Sequence, residues 1–356
     1  MRNSLILFCP TLLLACAAAP APYPSTAVDH SEPTTESASG AARLPAGTFV
    51  FYNLENLFDT TNDEGFGDDD FTPEGKMKWT PERYSNKLHR LAEAIELTGK
   101  ELPYLIGLCE VENARVVTDL SHENSLAKAQ YAVVHFESPD ERGIDVALLV
   151  AKDLGKVIVQ EAIAVNLGGG DATRDILHAE IEVNGGDKLH VFVNHWPSRR
   201  EGEAESAPKR MIAAKTLRAS VDRILGIDPN ARMLIMGDLN DTPTNASLHE
   251  GLGTSVDPKD TKATFVDLVA ADKGPFPGSV ARDGVWSYFD HVIVSQGMLH
   301  PKGGGWHAVS AASLKEERLI FHHEKYGDQP SRTFSSGERY HANGYSDHLP
   351  VVLQVE

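Results

Sequence analysis

The residues of this chain best placed for chemistry are carboxylates and histidines that end or begin short apolar runs. Glu110 follows Leu105-Ile106-Gly107-Leu108-Cys109, and a carboxylate closing so apolar a run must be solvated, paired or metal-bound. His195 closes Val191-Phe192-Val193-Asn194 and precedes Trp196-Pro197. A histidine there either packs as a structural residue or serves as a ligand or proton carrier. In Gly237-Asp238-Leu239-Asn240-Asp241, side chains two apart on extended backbone point the same way, so Asp238 and Asn240 can face one pocket. The same string also reads as an Asx-rich turn. Asp290-His291 and Asp347-His348 each enter an apolar strand. Neighbours on a strand point oppositely, so each must find partners elsewhere, and the natural cross-pair is Asp290 with His348. Asn53, after the run 49–52, is a loop cap or a ligand.

Such groups need rigid strand ends, and the hydrophobic pattern supplies them. From Thr48 onward short apolar runs alternate with amphipathic stretches. Strands are predicted at 49–52, 104–109, 144–150, 190–194, 233–236, 291–294 and 351–355. Thr80-Pro81-Glu82 opens a helix: Thr caps, Pro suits the first turn, and Glu faces the positive dipole end. Tyr84, Leu88, Leu91 and Ile95 give this helix one apolar face, and Gly99 is read as its stop. A second helix is predicted over 208–225, with Met211, Ala214, Leu217, Val221 and Ile224 on one side. The alternation predicts an α/β domain in which helices cover sheets and the chemical residues sit just past strand ends. The acidic, Gly-containing stretch 59–70 is read as a solvated loop. Ca2+ binding is the alternative, although the spacing does not fit an EF-hand and the closing Glu is missing.

The N-terminus has a different character. Arg2, an apolar stretch from Leu5 to Ala15, and Leu13-Leu14-Ala15-Cys16 read as a lipoprotein-type secretion signal over 1–16, with Cys16 lipidated. An ordinary signal cleaved a few residues later, at Ala19, is the alternative. Residues 17–47 are rich in Ala, Pro, Ser and Thr, cannot bury enough surface to offset their ordering entropy, and are expected to form a flexible tether. This places the protein in the cell envelope, anchored to a membrane by lipid, or secreted. Cys9 leaves with the signal and Cys16 carries the lipid, so Cys109 alone remains and no internal disulfide is expected. The formal net charge is −18; residues 1–47 hold two arginines against three carboxylates, leaving −17 for the rest. That excludes loose, charge-driven coating of nucleic acid. It does not exclude a nuclease, because a bound cation reverses the local field of its carboxylates.

Together, Tyr52-Asn53-Leu54-Glu55-Asn56, Leu108-Cys109-Glu110-Val111-Glu112, Asn194-His195-Trp196, Gly237-Asp238-Leu239-Asn240, Asp290-His291-Val292 and Ser346-Asp347-His348-Leu349-Pro350 make the sequence resemble the endonuclease/exonuclease/phosphatase family. The motifs span 48–356. The resemblance implies a four-layered α/β sandwich, two central mixed β-sheets flanked by helices. It implies that Glu110, helped by Asn53, holds Mg2+ or Mn2+, with Ca2+ as an alternative, and that Asp347 completes the metal region or a second site. Asp238 would orient or deprotonate water, Asn240 and His195 would grip phosphate oxygens, and His348, oriented by Asp290, would stabilise charge on the phosphate. The chemistry stands without the analogy: an anionic phosphodiester repels hydroxide, so its hydrolysis needs a cation on the phosphate and a positioned base for water.

Trp196 with Arg199 and Arg200 is expected to stack on a base and hold a flanking phosphate, against the alternative of a solvated basic turn. Arg142 and Arg174 are further phosphate candidates. Abasic-site enzymes of the family carry a tyrosine where Ile144-Asp145 stands, which argues against DNA repair. The preferred expectation is an exported nuclease acting on DNA or RNA. The rivals are an enzyme for phospholipid, sphingomyelin or phosphorylated sugar, and a binding module of the same fold that has lost catalysis. Nothing in the sequence calls for an obligate protein partner. Asp238→Asn and His348→Ala are each expected to reduce turnover by orders of magnitude with little loss of stability.

Overall fold

The computed structural model describes residues 45–356 apart from 64, 273, 275, 303–305 and 336–338. The predicted signal, and all of the predicted tether but its last three residues, lie outside the described residues. Strand β1 (Gly47–Leu57) shows how the sequence makes layers. Phe49 and Phe51 enter one buried cluster while Val50 and Tyr52 enter another, because side chains alternate across a strand. Strand β2 (Leu105–Val111) does the same, with Leu105 and Cys109 on one face and Ile106 and Leu108 on the other. In β8 (Arg232–Asp238), Leu234 and Met236 join the cluster of Phe49 and Phe51, whereas Met233 and Ile235 face a third cluster.

The cluster of Phe49 and Phe51 therefore lies between two sheets. The first runs β14 (Ala308–Ser313), β19 (Val351–Val355), β1, β2, β4 (Asp145–Val150), β3 (Ala132–His135). The second runs β5 (Gly155–Ile163), β6 (Ile176–Val183), β7 (Lys188–His195), β8, β13 (Asp290–Ser295), β10 (Phe265–Asp267), β9 (Thr254–Ser255). Both are mixed: β1 and β2 are parallel in one, β7 and β8 in the other, among antiparallel neighbours. Short hairpins β11–β12 (Val280–Arg282, Val285–Ser287), β15–β16 (Ile320–His323, Gly327–Pro330) and β17–β18 (Phe334–Ser335, Arg339–Tyr340) complete the strands. Gly107 is required where the sheets meet, since a Cβ there would sit 2.3 Å from Met236 Sδ.

Helices α1 (Pro81–Glu96) and α2 (Ala114–Ser121) cover the outer face of the first sheet, and α3 (Glu203–Ile227) covers the second. This is the four-layered sandwich the motifs imply. Thr80 caps α1, accepting from the Arg83 amide at 3.5 Å, with Pro81 as the first helical residue. The helix ends at Glu96 with Leu97 right-handed, so Gly99 is not its stop. Helix α3 starts five residues earlier than predicted, with Pro208 inside it. Ser206 Oγ and Arg210 Nη2 donate to the carbonyls of Gly202 and Glu203 in the first turns. No helix among the described residues is long and apolar enough to cross a membrane.

Strands β5 and β6 escape a purely hydrophobic reading because they carry charge and histidine. His178 Nε2 lies 3.2 Å from His190 Nδ1, and the His178 ring stacks on Phe192 at 4.5 Å between centroids. Burial pushes both imidazoles below their ordinary range. Protonation then favours the unfolded chain, whose histidines titrate near ~6.5. This contribution to stability is complete above the unfolded pKa and is lost progressively as pH falls from there through the lowered folded pKa. We expect His190→Gln to flatten the decline in urea midpoint between pH 7 and pH 5; an unchanged decline would show that the pair carries no linkage.

Candidate active site

Backbone pairing alone brings three of the predicted residues together. His195 ends β7 and pairs in register with Asp238 at the end of β8, and Asp238 pairs in turn with Asp290 at the start of β13. In the other sheet, Asn53 of β1 is in register with Cys109 of β2. Glu110 leaves the ladder there: Cys109 pairs with Val146 and Val111 with Asp145, so Glu110 is the extra residue of a bulge. Without the bulge, alternation would send Glu110 toward the helix-covered face. Val111 takes that place instead, and Glu110 is turned to the end of the strand. Glu55, Asn56, Glu110 and Asn240 all adopt left-handed backbone (φ 50°, 59°, 59° and 51°). At about 1–2 kcal/mol each, this strain persists because the surroundings over-determine it, as is common at functional sites.

The side chains form one continuous cluster. Asp238 Oδ2 accepts from Asn53 Nδ2 at 3.1 Å and lies 3.8 Å from His195 Nε2 and 3.9 Å from His348 Nε2. His195 Nε2 is 3.9 Å from Glu110 Oε1. His348 Nδ1 donates to Asp290 Oδ2 at 2.6 Å, and its Nε2 lies 4.0 Å from Asp347 Oδ1. The predicted cross-pair of Asp290 with His348 is therefore present, while His291 turns away to Asp267 and the Asp241 carbonyl. Glu110 Oε2 accepts from the Asn56 amide at 3.0 Å, and Arg142 donates to Asn56 Oδ1 at 2.7 Å and reaches Glu110 Oε1 at 3.5 Å.

The electrostatics give these residues different proton states. Burial, then the Asp290 charge, pushes Asp238 up to about 7, with His348 opposing. Burial alone would lower His348, but the Asp290 carboxylate and its hydrogen bond outweigh it, and His348 is held well above the ordinary range. Burial, then the guanidinium groups of Arg174 and Arg142, drive His195 well below it. The site thus holds a carboxylate able to take a proton near neutrality, a cationic histidine and a neutral one.

Several sequence expectations need correction. The backbone from Asp238 to Asn240 is not extended: Asn240 is left-handed, its N donates to Asp238 Oδ1 at 3.0 Å in the Asx turn that was the alternative reading, and its Nδ2 donates to the Trp196 carbonyl at 3.1 Å. Trp196 is 1 % exposed, packed in the core of the second sheet with its indole on Asn194, so it cannot stack on a base. Arg199 is engaged by Asp241 at 2.7 Å, Glu203 at 2.8 Å and the Asn240 carbonyl at 2.6 Å. Arg174 is buried, paired with Asp140 at 2.8 Å and donating to the carbonyls of His195 and Trp196. It positions His195 rather than holding phosphate. Arg142 remains beside the site, and Arg200 remains exposed. The stretch 59–70 is not simply solvated, because Asp59 and Asp68 are buried. Asn56, Ser279, which donates to Asp290 Oδ2, and Asp140 were not singled out from sequence. Asn56 was legible as part of the first motif; Ser279 and Asp140 carry no local signal.

The donor chemistry fits a divalent cation. Glu110, whose side chain is 14 % exposed, and Asp347, at 31 %, offer hard carboxylate oxygens to the open side, while the buried Asn53 amide oxygen accepts from Glu55 N at 3.0 Å and has one lone pair left for an ion. Few protein ligands with water making up the rest is the habit of Mg2+ and Mn2+. Asp238, Asp290 and His348 also bring ligand atoms within 4.8 Å of one another. Within that trio His348 Nδ1 already meets Asp290 Oδ2 at 2.6 Å.

A family profile described as Endonuclease/Exonuclease/phosphatase family matches residues 48–356. The chain belongs to this family of enzymes acting on phosphate esters. No curated protein matches it. Among solved structures it is similar to D. rerio TDP2 complexed with single strand DNA product (TM-score 0.54, 15 % identity, covering 87 % of this chain and 99 % of that one). It is also similar to an endonuclease/exonuclease/phosphatase family protein from Bacteroides thetaiotaomicron (0.55, 16 %, 87 % and 98 %). A mannosyl-6-phosphatase from the same organism is similar too (0.54, 16 %, 87 % and 99 %). At these identities the likeness is one of fold.

Proposed function

We propose that this protein is a divalent-metal-dependent phosphodiester hydrolase that acts on DNA or RNA. The observation that carries the reading is the placement of Asp238: a buried carboxylate held near neutrality between Asn53, neutral His195 and cationic His348. Asp238 takes the proton of the attacking water. His348, locked as a cation by Asp290, donates from Nε2 to a phosphate oxygen as charge builds there. His195 presents its Nε2–H toward the same space, since Nε2 faces Glu110 and Asp238, and Arg174 fixes its backbone. A cation held by Glu110, Asp347 and Asn53 would neutralise phosphate charge when bound. The DNA complex of the D. rerio neighbour supports a nucleic-acid strand as substrate.

One finding favours a second reading, a phosphate ester of a sugar: Trp196 and Arg199, the groups expected to grip a flanking nucleotide, are occupied inside the fold. A mannosyl-6-phosphatase is among the fold neighbours. We also propose, on Arg2, the apolar leader and Leu13-Leu14-Ala15-Cys16, that the protein is exported and lipid-anchored.

A panel of plasmid DNA, RNA, a chromogenic diester and mannose 6-phosphate, with Mg2+, Mn2+ or EDTA, tests the substrate. Diester cleavage abolished by EDTA is expected. If Arg142 and Arg200 are the two phosphate-facing cations, DNA affinity should fall only roughly tenfold between about 50 and 200 mM salt. Turnover of the sugar phosphate with no cleavage of any diester would replace the first reading by the second.

A further inference from the structure

Away from the active site, one oxygen each of Asp63, Asp68 and Glu112 lies within 4.8 Å of the others. Proximity of acids alone would mean little, but two of these side chains are deeply buried and carry an oxygen with no partner: Asp68 Oδ1 and Glu112 Oε1. Their other oxygens are occupied by backbone amides, Asp68 Oδ2 by Asp63 N at 2.9 Å and Glu112 Oε2 by Asp59 N at 2.6 Å. The chain therefore fixes both carboxylates and leaves one oxygen of each uncompensated, which is costly in a buried place unless something positive meets it. Arg115 does not serve: it lies 3.3 Å from Asp59 Oδ2 and is largely exposed.

We propose that Asp63, Asp68 and Glu112 form a second, structural site for a calcium-like divalent cation, separate from the site around Glu110. Two buried carboxylates and a third on the exposed part of the loop supply the hard oxygen ligands that Ca2+ takes. An irregular loop supplying carboxylates also suits calcium's tolerance of geometry. The location gives the ion a task. The tie from Asp59 N to Glu112 lies beside the tie from Asn56 N to Glu110, so both join the end of β1 to the end of β2. The same loop holds the Arg142 turn through the bond from Gly67 N to the Glu141 carbonyl. A cation clamped there holds Glu110 and Arg142 in place without touching substrate.

Thermal unfolding of the full chain with and without Ca2+ tests the site. At roughly 5 mM Ca2+, above the ~10⁻⁴–10⁻³ M range of weaker calcium modules, we expect the parent Tm to rise by about 3 °C. Glu110→Gln/Asp238→Asn, which disables the active site, should keep this rise. Asp68→Asn and Asp63→Asn should each lose it. Asp63 is exposed, so its variant folds even if the buried Asp68 change proves harmful. The proposal is overturned by no rise in the parent, by a rise that survives in Asp63→Asn, by one that vanishes in the active-site variant, or by an equal rise with Mg2+.

Discussion

Asp238→Asn should lower kcat for a phosphodiester by roughly a thousandfold, about 4 kcal/mol of transition-state stabilisation, while changing fold stability by no more than about 1 kcal/mol. The two effects separate for a structural reason. Asp238 and Asp290 are both buried and share the His348 cation, so removing one charge relieves repulsion. Against this, the carboxylate accepts from Asn53 Nδ2 and from Asn240 N, and an amide can accept only one of these bonds. The relief and the lost acceptor are of similar size. Asparagine has the shape but cannot take a proton from water, so turnover falls while Tm holds. Steady-state kinetics with a chromogenic diester and a thermal melt decide the matter together. More than a tenth of parental turnover would remove Asp238 from the role of base.

His348→Ala should abolish turnover to a similar degree and, unlike the first variant, also destabilise the fold. The reason for this added loss lies in the surroundings of Asp290. Asp290 is fully buried, its Oδ1 has no partner, and its Oδ2 is met by Ser279 and His348. Taking away the imidazolium leaves a buried carboxylate with one hydroxyl as its only partner, a change that costs about 3–5 kcal/mol. Neutralising that carboxylate should repair the fold and not the chemistry. Asp290→Asn/His348→Ala is thus expected to regain most of the lost Tm while turnover stays as low as in the single variant. If His348→Ala melts with the parent, the ion pair is not what holds Asp290; if the double variant regains turnover, His348 is not what stabilises charge on the phosphate.

The contrast shows what local sequence can report. The strand predicted at 351–355 and the cap at Thr80 were legible because hydrophobic alternation and capping are encoded within a few residues. Strands β5 and β6 were not, because their charged and histidine residues are accommodated by cross-strand partners that no short window contains. The pairing of Asp290 with His348 could be argued from the opposite facing of neighbours on a strand. The burial of Trp196 could not, since its indole is placed by Asn194 and by packing against the second sheet.

The order and spacing of Asn53, Glu110, His195, Asp238, Asp290 and His348 were determined by the sequence alone, and with them the family and the kind of chemistry, because each residue ends or begins an apolar strand that its neighbours specify. The tertiary structure decided which charges are free. It committed Arg174 and Arg199 to buried partners, raised Asp238, fixed His348 as a cation, and turned Glu110 outward through a bulge. Burial and pairing are properties of the assembled sheets: a carboxylate's proton affinity depends on what lies within a few ångströms in space, and here those neighbours come from strands far apart in the chain.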